Sequence, residues 1–298
     1  MRSIEPVPTP PTSTRGRSFA KRESDIADGL LSWNILFAGL AVIGFANGMS
    51  HRAMAALRDD PGQALLLTFD VSAIVWVALI AAVGFLLRPP RRSASKRDGL
   101  VAILAIAVFL APAPQLSWLA LSGLGLYVAT TSQPGAFHRS AGWILLAVTV
   151  PMFWSRVVFS LMSDAILRFD AMLVSLVLGT GRVGNTISFA DGWGYFWVAP
   201  ACSSIANVSL ALLCWVLITQ MLGTGRTANF RFCLMAACAV IVINVGRLSL
   251  IGISRDHFEL IHGPVGSLIT GWVTVAVIFA ICLYGATSGA KHAARSSY

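Results

Sequence analysis

The chain has 298 residues, a formal net charge of +9, a mean hydropathy of +0.74 and only 12% charged residues. A soluble domain carries about a quarter charged residues, so this deficit and the repeated long apolar runs exclude a soluble enzyme and indicate an all-α polytopic membrane protein. The basic residues fall in short clusters between apolar runs instead of along one face, which argues against a nucleic-acid partner and reads as a set of topology signals.

Residues 1–29 hold Arg2, Arg15, Arg17, Lys21 and Arg22 beside acidic residues, a proline cluster and a Ser/Thr cluster. Such a segment has too little apolar surface to pack and is expected to be a disordered cytoplasmic tail. It lacks the apolar core and small-residue cleavage site of a signal peptide, so the first span is expected to act as an uncleaved anchor.

The transmembrane domain is expected over residues 30–285. A first span is read over 30–49, and a polar connection with His51, Arg52, Arg58, Asp59 and Asp60 leads to a second over 64–87. Asp70 falls in the first third of that span and is read as structural, although an ionisable group inside a span is a functional candidate by default. Residues 88–97, with Arg88, Arg91, Arg92, Lys96 and Arg97, form the densest positive run and mark a cytoplasmic loop. Residues 100–131 are apolar apart from Pro112, Pro114 and Gln115, which divide them into two short spans in a tight hairpin. His138 and Arg139 mark a further inner loop before a span over 141–162, kinked at Pro151 and with Arg156 near its far end.

Between 163 and 199 the character changes, with Asp164, Arg168, Asp170, Arg182 and Asp191 spread among apolar residues. Apolar positions 165, 166, 169, 172, 173, 176 and 177 fit a helical period, predicting an amphipathic helix in the outer interface. A Gly-rich turn and a strand-like stretch over 194–198 follow, and a lid over a pocket is an equal reading of the segment. Three last spans are read over 201–222, 230–251 and 263–284, with Arg226, Arg231, Lys291 and Arg295 marking inner ends. The pattern predicts about eight transmembrane helices with both termini cytoplasmic and a second tail over 286–298.

That topology brings three polar features to the outer face. The first is Pro200-Ala201-Cys202-Ser203-Ser204. Proline is favoured in the first turn of a helix, so the helix is expected to begin about two residues before Cys202 and to set the sulfur among unpaired amides that favour a thiolate. A cysteine in an apolar helix also reads as a small buried hydrophobe. Ser203 and Ser204 are expected to cap the helix start. The second feature is Asn244 with Arg247, three residues apart on one face of the seventh span. The arginine either reaches headgroups or faces a partner or polar cavity, and Asn244 is placed to hold it. The third is His262, followed by Gly263, Pro264 and Gly266, which leave room for close approach of a chain or ligand. A lone histidine at a helix start is also read as structural. Cysteines 202, 214, 233, 238 and 282 show no paired zinc spacing, and no disulfide framework, metal or organic cofactor is expected.

The order Cys-Ser-x-Ile at a span start, Asn-x-x-Arg late in the next span and His-x-x-x-Gly opening the last resembles the exosortase/archaeosortase family over roughly residues 140–285. The resemblance implies a sortase-type cysteine transpeptidase of the bacterial inner membrane with its active site facing the periplasm or outside. Its partners would be membrane lipids and exported proteins whose C-terminal sorting signal has a short motif, an apolar helix and a basic tail. It would cleave near the motif and pass the new end to a surface acceptor. The family's proposed catalytic cysteine, arginine and histidine fall on Cys202, Arg247 and His262. Ser204 stands where many members have glycine, and residues 206–209 lack an arginine often found there. The residues themselves suggest the same roles: Cys202 as nucleophile, His262 as general base and acid, and Arg247 as oxyanion or substrate holder. The alternative is a transporter or lipid-handling protein that binds an anionic group through Arg247 and His262. Against it stand the lack of an internal repeat and the gathering of polar groups at one interface.

Overall fold

The computed structural model describes residues 32–66, 68–90, 93–224, 229–253 and 261–295. The N-terminal tail and the loop residues Arg91, Arg92 and Arg226 lie outside the described residues. Helix α1, Trp33–Asp59, begins at Ser32, whose Oγ accepts the Ile35 N–H. It continues through the stretch read as a polar connection, because 51–59 contains no Gly or Pro and is rich in Ala, Met, Leu and Arg, all good helix formers. A short helix α2, Pro61–Leu66, and a 3-10 turn, Thr68–Asp70, precede α3, Ala73–Leu86. Asp70 therefore stands on the turn ahead of α3 and not inside the span.

The hairpin predicted over 100–131 is present as α4, Lys96–Phe109, and α5, Pro114–Thr131, with proline opening α5. Helix α6, Phe137–Thr149, runs through a π-helical turn, Val150–Trp154, into α7, Ser155–Leu178. The π turn falls at Pro151, whose missing N–H removes one rung of the ladder. A three-stranded antiparallel sheet follows, with β1, Arg182–Val183, β2, Thr186–Ser188, and β3, Tyr195–Trp197, in that order. The strand-like stretch over 194–198 is thus a strand. The chain then passes through a 3-10 turn, Pro200–Cys202, to α8, Ile205–Met221, α9, Arg231–Ile253, and α10, Pro264–Arg295. Helix α10 extends through residues 286–295, which were read as tail.

The fold is all-α apart from this small sheet, and among the described residues five helices are long and apolar enough to cross a membrane. These are Trp33–Asp59, Phe137–Leu178, Pro200–Met221, Arg231–Ile253 and Val265–Ser288, while Ala73–Leu86 is apolar but shorter. The main core gathers side chains from α1, α3 to α6 and α8 to α10, including Trp33, Phe37, Leu121, Ile144 and Leu213. Helices α5 and α6 meet backbone to backbone, since a Cβ on Gly142 would lie 2.7 Å from the Gly125 carbonyl oxygen. A second, smaller core joins Leu167, Ala171 and Val174 of α7, Ile187 and Phe196 of the sheet, and Leu248 and Ile251 of α9.

Helix α7 packs on the face opposite the apolar stripe read from the sequence, as an amphipathic helix with its apolar side toward lipid would. Its buried stripe is Leu167, Asp170, Ala171, Val174 and Ser175, while Phe169, Leu176 and Val177 are exposed. Small and polar residues permit close packing against protein, and the bulky apolar ones are left facing outward, as on a helix that meets lipid.

One end of the bundle is closed by buried polar contacts. Asp98, at the start of α4, accepts from Trp33 Nε1 at 3.0 Å, Tyr127 OH at 2.9 Å and Ser95 N–H at 2.8 Å, tying α1, α4 and α5 together. Asn34 Nδ2 donates to the carbonyls of Leu86 and Arg88, each at 2.9 Å, and His138 Nε2 lies 3.0 Å from it. Arg139 shares a further recess with Gln220 and Gly223, so the end of α8 lies here too. Replacing Asp98 strands these donors in a buried setting, and Asp98→Ala is expected to destabilise the protein by about 3 kcal/mol. Unfolding titrations in mixed micelles measure this, with the exposed-site variant Arg168→Gln as the unaffected control.

Candidate active site

The site is built on the second core, where α7 and α9 meet the sheet and the turns that carry Cys202 and Ile261 pack against it. Strand β3 pairs with β2 in the register Ile187↔Phe196, burying Phe196 and leaving Tyr195 and Trp197 exposed. The sheet is fixed to α9 by the Ala190 N–H, which donates to the Gly252 carbonyl at 2.9 Å. Asn185 holds the strand's exit, its carbonyl accepting the Val198 N–H at 2.9 Å and its Nδ2 donating to the Val198 carbonyl at 3.2 Å.

The chain then turns at Pro200–Cys202. The turn is 3-10, and α8 begins only at Ile205, which corrects the expectation of an α-helix starting at Pro200. The Cys202 N–H is already committed to the Ala199 carbonyl at 2.9 Å, and Ser203 N–H to the Pro200 carbonyl at 3.2 Å. Ser203 takes an extended conformation that ends the short turn, so the α ladder cannot propagate through it. Its Oγ accepts the Ile205 N–H at 3.4 Å, a capping contact of the expected kind. Ser204 does not cap with its own side chain. Its N–H and Oγ donate to the carboxylate of Asp170 on α7 at 3.1 and 2.7 Å, and Asp170 is wholly buried. A carboxylate at this position also complements the positive end of the α8 dipole.

Asn244 is buried on α9, and its Nδ2 donates to the Cys202 carbonyl at 2.9 Å. It holds the cysteine turn, not Arg247 as expected. Arg247, one turn on, donates from Nη2 to Ser267 Oγ at 2.9 Å, and Ser267 Oγ in turn donates to the His262 carbonyl at 3.3 Å. The buried Nε of Arg247 has no partner among the described residues. Gly266 permits the tight turn into α10, since a Cβ there would lie 2.4 Å from the Ile261 carbonyl oxygen.

Cys202 and His262 line one cavity of about 470 Å³, together with Phe189 and Trp193 from the β2–β3 connection, Tyr195, Phe196 and Trp197 from β3, and Leu248 and Ile251 from α9. Cys202 is half-buried and His262 exposed. Arg247 is not among the lining residues. The wall is mostly aromatic and apolar, suited to an extended peptide or an acyl chain, with a thiol and an imidazole as its reactive groups. Among the described residues, no three His, Cys, Asp or Glu side chains converge as a metal-ligand set. Of the residues singled out in the sequence, Cys202 and His262 line the cavity, Asn244 holds the cysteine turn and Gly266 lies at the start of α10, while Asp170 and Ser267 had been given no place in the site. The pattern offered a signal for Asp170, which falls off the apolar stripe of α7 beside the small residue Ala171. Nothing singled out Ser267.

Comparisons with family models, with characterised proteins and with solved structures gave no match.

Loss of the Asp170 carboxylate leaves a backbone N–H and a hydroxyl of Ser204 buried, so Asp170→Ala is expected to destabilise by about 3 kcal/mol and Ser204→Ala by about 1 kcal/mol. Unfolding titrations of the two variants test the order, and equal losses would show that the backbone bond contributes nothing.

Proposed function

We propose that the chain is a membrane-embedded cysteine transpeptidase that cleaves the C-terminal sorting signal of exported proteins at the outer face of the membrane. The observation that supports this reading is the meeting of Cys202 and His262, from the turns that open α8 and α10, in one aromatic-walled cavity. In the proposed reaction, His262 takes the Cys202 proton as the sulfur attacks a peptide carbonyl, and the same imidazole returns a proton to the departing amine. The C–N bond breaks and a thioester remains. An acceptor nucleophile then gives its proton to His262 and attacks the thioester, the C–S bond breaks, and the released thiolate recovers a proton. Arg247 acts in this scheme as a positioning residue, holding the segment that carries His262 through Ser267.

The orientation is part of the proposal. Arg88, His138 and Arg139 gather at one end of the bundle, and the start of α8 with Cys202 lies at the other. Basic clusters favour the cytoplasmic side, so the cavity faces outward, and eight crossings account for every cluster. The exposed rings of Trp193, Tyr195 and Trp197 suit the outer membrane–water interface.

Two measurements test the reading. A membrane-impermeant maleimide applied to intact spheroplasts is expected to label the wild type and not Cys202→Ala, and labelling only after lysis would reverse the orientation. In cells making the exported substrates, Cys202→Ala and His262→Ala are expected to accumulate unprocessed precursors while inserting normally. Continued processing by Cys202→Ala removes the cysteine mechanism.

A further inference from the structure

A second cavity, of about 360 Å³, opens between α1, α5, the π turn and α7, and no residue lines both it and the cavity of Cys202. Its rim carries His51, Arg52 and Arg156, with Gln115 and Ser160, and its wall includes Trp118. None of its described lining residues is acidic, and Arg156 makes no ion pair among the described residues. The first turn of α5 points the same way: Pro114 opens it and Ala113 supplies no side-chain cap, so the positive end of the helix dipole stands beside these cations. The wall is held in shape by Trp118, whose Nε1 donates to the Gly48 carbonyl at 3.2 Å.

The depth of this cavity narrows the choice of ligand. Arg52 follows the start of α1, and Arg156 the start of α6, by about nineteen residues, a rise of roughly 28 Å from the end closed by Asn34 and His138. That distance is close to the thickness of a hydrocarbon core, about 30 Å, so a bundle anchored by its basic end puts both arginines at the opposite headgroup layer. Arginines are unfavoured on that side by the topology rule, and an anion there supplies the reason for two of them in one recess.

We infer that this cavity is a binding site for a phosphate-bearing anion, gripped by Arg52 and Arg156 with His51 as a third donor. The chemistry is shared by a lipid headgroup and a free phosphate, and the depth matches a headgroup. The inference is independent of the cysteine chemistry and stands or falls separately from it.

The test uses the full-length protein purified in neutral detergent, with its melting temperature followed against phosphatidylglycerol, diacylglycerol or inorganic phosphate. A saturable rise with phosphatidylglycerol but not with diacylglycerol is expected and assigns the headgroup phosphate. A rise with inorganic phosphate alone assigns a soluble anion to the same site. Arg52→Gln and Arg156→Gln are each expected to weaken the midpoint concentration by about tenfold, the loss of one charge-assisted contact. The double lysine variant, which keeps both charges, retains binding, and Arg168→Gln on the α7 surface behaves as wild type. No rise with either phosphate compound, or a rise unchanged in the single glutamine variants, overturns the assignment.

Discussion

The relative placement of Cys202 and His262 rests on one helical turn of α9. Asn244 and Arg247 are three residues apart and share a helix face, about 4.5 Å of rise between them. The first holds the carbonyl of Cys202 directly, and the second reaches His262 through Ser267. Cys202 and His262 belong to separate turns, each ahead of its own helix, and such turns drift unless something rigid spans both. Helix α9 is that element, and its own position is set by burial of Val245, Leu248 and Ile251 in the second core.

The cysteine turn is fixed from its other side by Asp170. A fully buried carboxylate is unfavourable unless it is hydrogen-bonded, and this one takes both donors of Ser204 at the head of α8. The residues that pack around it, Leu167, Ala171 and Val174, belong to the same small core as the sheet. The support of Cys202 is therefore a polar clamp inside an apolar cluster, separate from the core that holds the helices of the bundle together. Substitutions deep in the main core and substitutions in the second core act on different things: the first on the stability of the bundle, the second on the geometry of the cavity.

The helical segments were legible because hydropathy marks them directly, although the stretch read as a span over 64–87 is broken ahead of α3. Five helices among the described residues are long and apolar enough to cross a membrane. Boundaries were less legible. Polar residues at 51–59 read as a connection, yet a helix ends at a breaker, and none comes before Pro61. The apolar stripe of α7 was legible as the lipid-facing side of an amphipathic helix, and Phe169, Leu176 and Val177 are exposed there. The opposite face was not legible, because Leu167, Ala171 and Val174 pack around the buried Asp170 only through tertiary contacts with the sheet and α9. Cys202 and His262, on the turns ahead of α8 and α10, and Asn244 and Arg247 of α9 behind the cavity stood out as types, since a thiol, an imidazole, an amide and a guanidinium are rare in such apolar runs. Their partners did not, because the 3-10 turn and Ser267 are decided by tertiary contacts that leave no period in the sequence.

The distribution of polar groups along the bundle separates two kinds of burial. At the basic end, Asp98 and Asn34 are matched by partners within about hydrogen-bond distance and lie inside the packed core, so they fix helix ends without offering a surface. At the opposite end, Cys202 and His262 face open volume, and the donors nearby serve backbone carbonyls that hold the turns in place. A path across the membrane needs an open, polar-lined passage through the bundle, whereas the main core is filled by Phe37, Leu121, Leu124 and Ile144. Ser122 and Thr149, polar side chains buried among the helices there, are hydrogen-bonded to each other. Cys202 and His262 in one cavity at one end of the bundle, braced by polar contacts and separated from the other end by a packed core, suit the proposed chemistry on a substrate that arrives from one side. That physical argument, more than the identity of any single residue, is why acyl transfer and not transport is the function proposed.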